Sequence, residues 1–364
     1  MACAAGPNIV EDGLVFYYDM ENTQKSWKGK PTTNVVPTNL STYTVDNGCS
    51  VVATGEYYRG NPVYRATFPA GTLPRFRWNF SYSAGQTFTG SVYYRSVSGN
   101  QSNPALYFRE INFGNSYAQV NFDYTTEWTK KEITHTFAGT GTSMFLFYRS
   151  SSNTTIPIVI DLALPQVEQN SFATPFVNGT RSDTQAIVDL VGGNTVTAQS
   201  LTYNSDNTFE FDGINDYIDC GSIPMTGKLT ASAWVKLNAT GIFQHILDSS
   251  NNSWHLAILS TNRPYLYNAV TNHGAAPPLS VNTWYMITGV QGTTLDLYIN
   301  GALAQSIASN VNVTTNNVFV GAWQEPPVQR YFNGNIDNAQ IYNRALSAAE
   351  VQQNFNALRG RYGI

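Results

Sequence analysis

The chain has 364 residues, 42% of them hydrophobic and 13% aromatic, which is enough for two or three domains with real cores. Only 12% are Asp, Glu, Lys or Arg, about half the usual share, and the formal net charge is -4. That balance argues against nucleic acid, which demands clustered Lys and Arg, and no apolar run approaches a membrane span. The surface must be built from Asn, Thr, Ser, Gln and Tyr instead. Such a surface suits hydrogen bonding to neutral sugars or dense packing against other subunits.

In chain order, the opening MACAAGPNIVEDG lacks the basic-then-apolar order of a signal peptide, so cytoplasmic synthesis without the usual export tag is expected. Residues 1–40 hold too few apolar side chains for a core of their own. A strand-like run, Gly13–Tyr18, leads into the polar, turn-rich Gln24–Pro31. This reads as an extended arm whose Phe16, Tyr17, Tyr18 and Trp27 favour docking on a companion over disorder.

From 41 to 177 short alternating runs predict strands over 88–97, 105–111, 117–124, 131–137, 143–149 and 156–164. Turn signals separate them, among them Ser98-Gly99-Asn100 and Ala138-Gly139-Thr140-Gly141. Strands at this spacing imply a sandwich or jelly roll. The polar stretch Val177–Ser182 reads as a linker. Further on, Asn300-Gly301 between two alternating runs is a type I′ hairpin signal.

The end of the chain carries the one convincing helix. Ser347-Ala348-Ala349-Glu350 has capping-box spacing, Leu346 and Val351 suit a hydrophobic staple, and Val351, Phe355 and Leu358 share a face. Gly360 sits where a left-handed residue would end the helix. The three cysteines, Cys3, Cys49 and Cys220, form neither a disulfide framework nor a zinc pattern and read as free thiols.

Three stretches carry a family resemblance. Gly334-x-Ile336-Asp337 followed by Ile341–Ser347 and Glu350 resembles the closing signature of laminin-G/concanavalin-A-like sandwiches. Phe211–Ile218 resembles the family's opening strand, and Trp284–Ile287 through Leu297–Gly301 its central hairpin. Upstream, the middle segment resembles carbohydrate-binding-module jelly rolls. Pro31-Thr32-Thr33-Asn34 and Leu164–Phe176 resemble segments of structural proteins in tailed bacteriophages.

The candidate chemistry is spare. Glu210-x-Asp212-x-x-Asn215 begins the acidic strand of a concanavalin-A-like glucanase but ends in an amide, which is neither acid nor base. His135, His245, His255 and His273 show no metal-ligand spacing, and His255 reads as a satisfied structural side chain. No cofactor is required. The resemblance implies one optional ion, calcium, at Asp212, Asp216 and Asp337, whose alternative role is to cap turns. For sugar binding the candidates are Trp323, Gln324 and Glu325 with Arg330 and Tyr331, in a Pro-rich loop. Tyr265 and Tyr267 share a strand face and are a further stacking candidate. Core or subunit contact is the alternative for each.

The expectation is therefore an all-β protein. It comprises an arm (1–40), a jelly roll (41–177) and a laminin-G/concanavalin-A-like sandwich (178–364), with one short C-terminal helix. The resemblance implies a non-enzymatic protein on the surface of a tailed-phage particle, either a fibre or a head-decorating protein. Its arm would anchor it to other virion proteins, and its outer sandwich would hold cell-surface glycans, with many copies supplying avidity. A homo-oligomer is expected, trimeric if a fibre. The alternatives are a stand-alone lectin and a glycanase.

Overall fold

The computed structural model describes residues 8–364 apart from 21, 23–24, 71–72, 100–103, 111–116, 150–155, 204–208, 251–252, 269–271, 274–275, 310 and 324–329. The fold is all-β, as expected, with two units. One joins the residues up to Lys30 to Ser182–Ile364; the other is Pro31–Arg181.

The second unit is a sandwich of two five-stranded antiparallel sheets among the described residues. One runs Thr129–Thr136, Thr87–Ser98, Ile158–Glu168, Asn61–Phe68, Ser50–Tyr58. The other runs Thr44–Asp46, Arg75–Tyr82, Gly141–Arg149, Pro104–Glu110, Tyr117–Asn121. Inward positions of both sheets supply a largely aromatic core, with Phe68, Phe76, Phe108, Phe145 and Phe147 fully buried. The six runs predicted from 88 onward are strands, with ends shifted by up to four residues. The four strands between Thr44 and Tyr82 were not singled out, because Pro62 and interspersed polar residues blur the alternation.

The stretch Leu164–Phe176 has a structural job. Leu164 takes a positive φ of 57° in an irregularity of its strand, ahead of Pro165. Beyond it, Gln166 and Glu168 are buried and hydrogen-bonded. Glu168 accepts from the Thr174 amide (2.7 Å) and Gln166 from the Val177 amide (2.7 Å). Asn34 completes the knot by accepting from the Val167 amide at 2.9 Å, and Thr32–Thr33 pairs with Thr180–Arg181. The entry and exit of the module are thus tied together by side chains that leave few buried polar atoms unmatched. Arg181 therefore closes this unit, and the division falls at 30/31 and 181/182 rather than at 40/41 and 177/178.

The first unit is a larger sandwich. One sheet has the order Thr202–Tyr203, Phe209–Asp212, Asn333–Tyr342, Leu229–Leu237, Trp284–Gln291, Thr294–Ile299, Ala302–Ala308. The other has the order Thr197–Gln199, Tyr217–Gly227, Val313–Val320, Gln244–Ser249, His255–Ile258, Pro264–Tyr267, Asn272–His273. Their inner faces meet in a core that includes Ala233, Val235, Ile287 and Leu297 from the first, and Ile218, Leu256, Leu266 and Val320 from the second. Asn300 and Gly301 both have positive φ, 50° and 79°, as the type I′ turn requires.

The expected free arm is corrected here. Leu14–Asp19 pairs antiparallel with the closing strand, Tyr17 opposite Gln340 and Asp19 opposite Asn338. Phe16 and Tyr18 are fully buried and Trp27 is 2% exposed, packed with Tyr203 and Phe209. The Tyr17 hydroxyl donates to Asp19 and accepts from Asn338. A segment too short of apolar side chains to form its own core is held by this chain's own sandwich. Phe16, Tyr18 and Trp27 are thus buried within this chain, and Tyr17 is half-buried beside them.

The C-terminal helix, Ala348–Leu358, starts as predicted. Ser347 and Glu350 exchange side-chain-to-amide hydrogen bonds, and Arg344 pairs with Glu350 at 2.6 Å. Val351, Phe355 and Leu358 pack on Trp234, Met286 and Tyr342. Its end differs: a 3-10 turn over Arg359–Arg361 follows, so the left-handed glycine is Gly363 (φ 72°), not Gly360. That turn carries Tyr362 onto Trp234, with ring centroids 4.1 Å apart. Cys49 and Cys220 are free and buried, whereas Cys3 lies outside the described residues.

Two outcomes follow. Phe16→Ala should destabilise the first unit by about 3–5 kcal/mol in chemical denaturation, because a fully buried ring is lost from a packed core. A surface-docked arm would lose far less. Arg344, with the Ser347 amide, holds the Glu350 carboxyl down at about 2. A depressed folded-state pKa stabilises above the unfolded value near 4.5, and that contribution fades as pH falls towards 2. Glu350→Gln should therefore be less stable than the parent at pH 7 and close to it at pH 2.

Candidate functional site

Strands normally alternate their side chains between two faces, so residues three apart point in opposite directions. In Gln244–Ser249 a register shift between His245 and Leu247 breaks that rule. Ile246 and Leu247 both enter the core, and His245 and Asp248 come out on the same face. The neighbouring strand sets Asp248 opposite His255, and the next sets His255 opposite Tyr267 and Ala257 opposite Tyr265. Leu256, Ile258 and Leu266 face the core, leaving His255, Tyr265 and Tyr267 on the outer face with His245.

A short ribbon supplies the rest of this face. After the strand Val313–Val320 the chain turns at Gly321 (φ 82°), where a Cβ would run into the Phe211 ring. The Gly321 amide donates to the Ile246 carbonyl at 3.0 Å. Ala322–Trp323 then pairs with Arg330–Tyr331, which sets Trp323 opposite Arg330. The Trp323 indole stacks on His245 with centroids 5.7 Å apart and 10° between planes. The Arg330 guanidinium lies over both Trp323 (4.4 Å) and Phe243 (4.0 Å).

The electrostatics follow from burial beside a cation. Burial, then the second imidazole and Arg330, push His245 well below the ordinary histidine range. Burial and Arg330 bring His255 down to about 3. Both rings are therefore neutral at pH 7. Neither nitrogen of either ring has a hydrogen-bond partner among the described residues, nor has the Trp323 indole N–H. His245 Nδ1 stands 3.4 Å and His255 Nδ1 3.8 Å from Asp248 Oδ1. His255 is thus not the satisfied structural side chain expected from sequence. The strand register brings together His245, Asp248 and His255, a proximity that their spacing along the chain does not show.

The other candidates fare differently. Trp323, Arg330 and Tyr331 are brought together, but Trp323 is half-buried against His245 rather than a bare plate. Gln324 and Glu325 lie outside the described residues. The proposed calcium residues do not converge. Asp212 accepts from the Ile214 and Asn215 amides in a turn, and the buried Asp216 accepts from the Asp212 amide. Asp337 instead takes the Tyr362 hydroxyl at 2.9 Å. Among the described residues, the acid and histidine side chains close enough to share an ion are His245, Asp248 and His255. Glu210 and Asp212 lie on the opposite sheet, where Glu210 accepts from Asn238.

If Arg330 is what adds to burial in suppressing His255, Arg330→Gln should raise the His255 pKa above about 3 in an imidazole NMR titration. No change would assign the whole effect to burial.

Residues 211–352 match the concanavalin A-like lectin/glucanases superfamily. No curated protein matches the chain. Among solved structures, the receptor-binding domain of botulinum neurotoxin C/D mosaic serotype aligns at 18% identity and TM-score 0.37, over 48% of this chain and 49% of that one. The ligand-binding domain of botulinum neurotoxin serotype D, in complex with N-acetylneuraminic acid, gives 21% and 0.38 over 48% and 49%. Domain 4 of an extracellular arabinanase from Geobacillus stearothermophilus, in complex with arabinotriose, gives 15% and 0.37 over 48% and 93%. The chain spans about half the length of the toxin domains. The C-terminal region of this chain thus carries a concanavalin A-like lectin/glucanase domain.

Proposed function

We propose that the C-terminal sandwich is a non-enzymatic glycan-binding module, and that the face carrying Tyr265, Tyr267, Trp323, Arg330 and Tyr331 holds the sugar. One observation carries this reading. An arginine is sandwiched by two aromatic rings at the edge of a half-buried tyrosine pair, so apolar ring faces and fixed donors adjoin. Sugars present the matching surface, with C–H faces to stack and hydroxyls to accept. The amide-rich, weakly charged composition suits the same ligand class.

A hydrolytic role is not favoured. The Glu210-x-Asp212 strand ends its motif in Asn215, and Asp212 is engaged by turn amides. The context we propose is the surface of a tailed-phage particle, as a fibre or head-decorating protein in a homo-oligomer. Its support is the resemblance of Pro31–Asn34 and Leu164–Phe176 to phage structural proteins. Attachment would then use a surface other than the N-terminal strand.

The test is a glycan array with the full chain. Binding to a defined glycan set, reduced at least tenfold by Trp323→Ala and by Arg330→Ala in folded protein, is the expected result. A blank array, or binding untouched by both changes, would sink the assignment. Release of reducing ends from polysaccharide would revive the glycanase alternative, and absence of the chain from purified particles would remove the virion context.

A further inference from the structure

We infer that His245, Asp248 and His255 form a binding site for one divalent transition-metal ion of the zinc type, independently of any glycan. Two neutral imidazoles and a carboxylate converge on one point, each 7% exposed or less at the side chain. Their candidate ligand atoms lie within 4.8 Å of one another. Zinc binds such nitrogen and oxygen atoms at about 2.0–2.2 Å, so tetrahedral ligands stand about 3.3–3.5 Å apart. The 3.4 Å separation of His245 from Asp248 already matches that figure, the 3.8 Å separation of His255 from Asp248 needs a small contraction, and the widest separation, up to 4.8 Å, needs a larger one.

The decisive feature is the four imidazole nitrogens. Buried polar atoms are ordinarily hydrogen-bonded, and leaving them unmatched is destabilising. Here both nitrogens of His245, which is fully buried, and both of His255 have no partner among the described residues. A coordinated cation would satisfy one nitrogen of each ring, with the Asp248 carboxylate as the third ligand.

The donor set selects the ion. Imidazole and carboxylate together suit zinc and its neighbours, whereas calcium and magnesium take oxygen ligands. Three protein ligands leave a fourth position for water or for an oxygen of a bound molecule. The groups facing the cluster from adjoining elements are Phe243, Tyr265, Tyr267, Trp323 and Arg330. Arg330 is the one cation among them and opposes a second positive charge, while the Asp248 carboxylate favours it.

The experiment uses the full chain, unfolded and refolded with zinc chloride, with cobalt chloride, with calcium chloride or with chelator alone, then freed of loose ions by gel filtration. Refolding removes slow entry into a buried site as an explanation for failure. Elemental analysis should find one zinc per chain and no calcium. The cobalt form should show the d–d absorption of a four- or five-coordinate site, and zinc should raise Tm over the chelated chain by about 5 °C or more. His245→Gln and Asp248→Asn should each lower zinc retention at least tenfold while unfolding cooperatively. If either variant fails to fold, the stoichiometry and cobalt spectrum of the parent chain still decide. Zinc retained at well under one per chain, or a cobalt spectrum no different from free cobalt, would overturn the assignment. So would a His245→Leu, Asp248→Leu, His255→Leu variant that keeps the zinc.

Discussion

The first unit depends on a pairing between the two ends of the chain. Leu14–Asp19 lies along Asn338–Tyr342, more than three hundred residues away in sequence. Main-chain hydrogen bonds set the register, and the burial of Phe16 and Tyr18 adds apolar area removed from water. Polar ties flank the strand: the Val10 amide donates to Asn354, the Tyr342 hydroxyl donates to the Val10 carbonyl, and Arg361 pairs with Asp19. Unpaired, this stretch of the closing strand would present an open edge, which proteins ordinarily cover. A contact of such sequence separation is expected to form late in folding, because loop closure must precede it. Pro31–Arg181 is consequently an insertion between the first strand of a sandwich and the remainder of it.

The inserted module solves its own closure problem with buried polar groups. Asp161 is fully buried yet receives Arg65 at 2.8 Å and Arg95 at 2.9 Å. Such an ion group adds little net stability over an apolar one, but removing one partner leaves a buried charge exposed to its full desolvation cost. The Asn34, Gln166, Glu168 and Thr174 network works in the same way at the two ends of the module. Every member has a hydrogen-bond partner, so the geometry is specified as well as stabilised.

Against this careful matching, the outer face of the first unit's second sheet stands apart. There the imidazoles of His245 and His255 are buried with no hydrogen-bond partner among the described residues, while Arg330 is held between aromatic rings. Single buried atoms elsewhere, such as Trp254 Nε1, also lack partners among the described residues, but four imidazole nitrogens without partners on two touching rings set this point apart. The strand irregularity at His245–Leu247 is the local cause, since it turns two chemically competent side chains to one side.

Local pattern was enough to specify much of this protein. Alternation marked the strands between Phe88 and Leu164, Asn300-Gly301 set its hairpin, and Ser347 with Glu350 set the helix start, because each depends on neighbours within a few residues. The family likeness of the last half was equally legible, being carried by contiguous motifs. Tertiary structure alone decided where Phe16, Tyr18 and Trp27 go, since an apolar strand does not encode which distant edge it will join. It alone also assembled His245, Asp248 and His255. That cluster requires a bulge and a cross-strand register, and both are fixed by which side chains the sandwich can bury rather than by spacing along the chain.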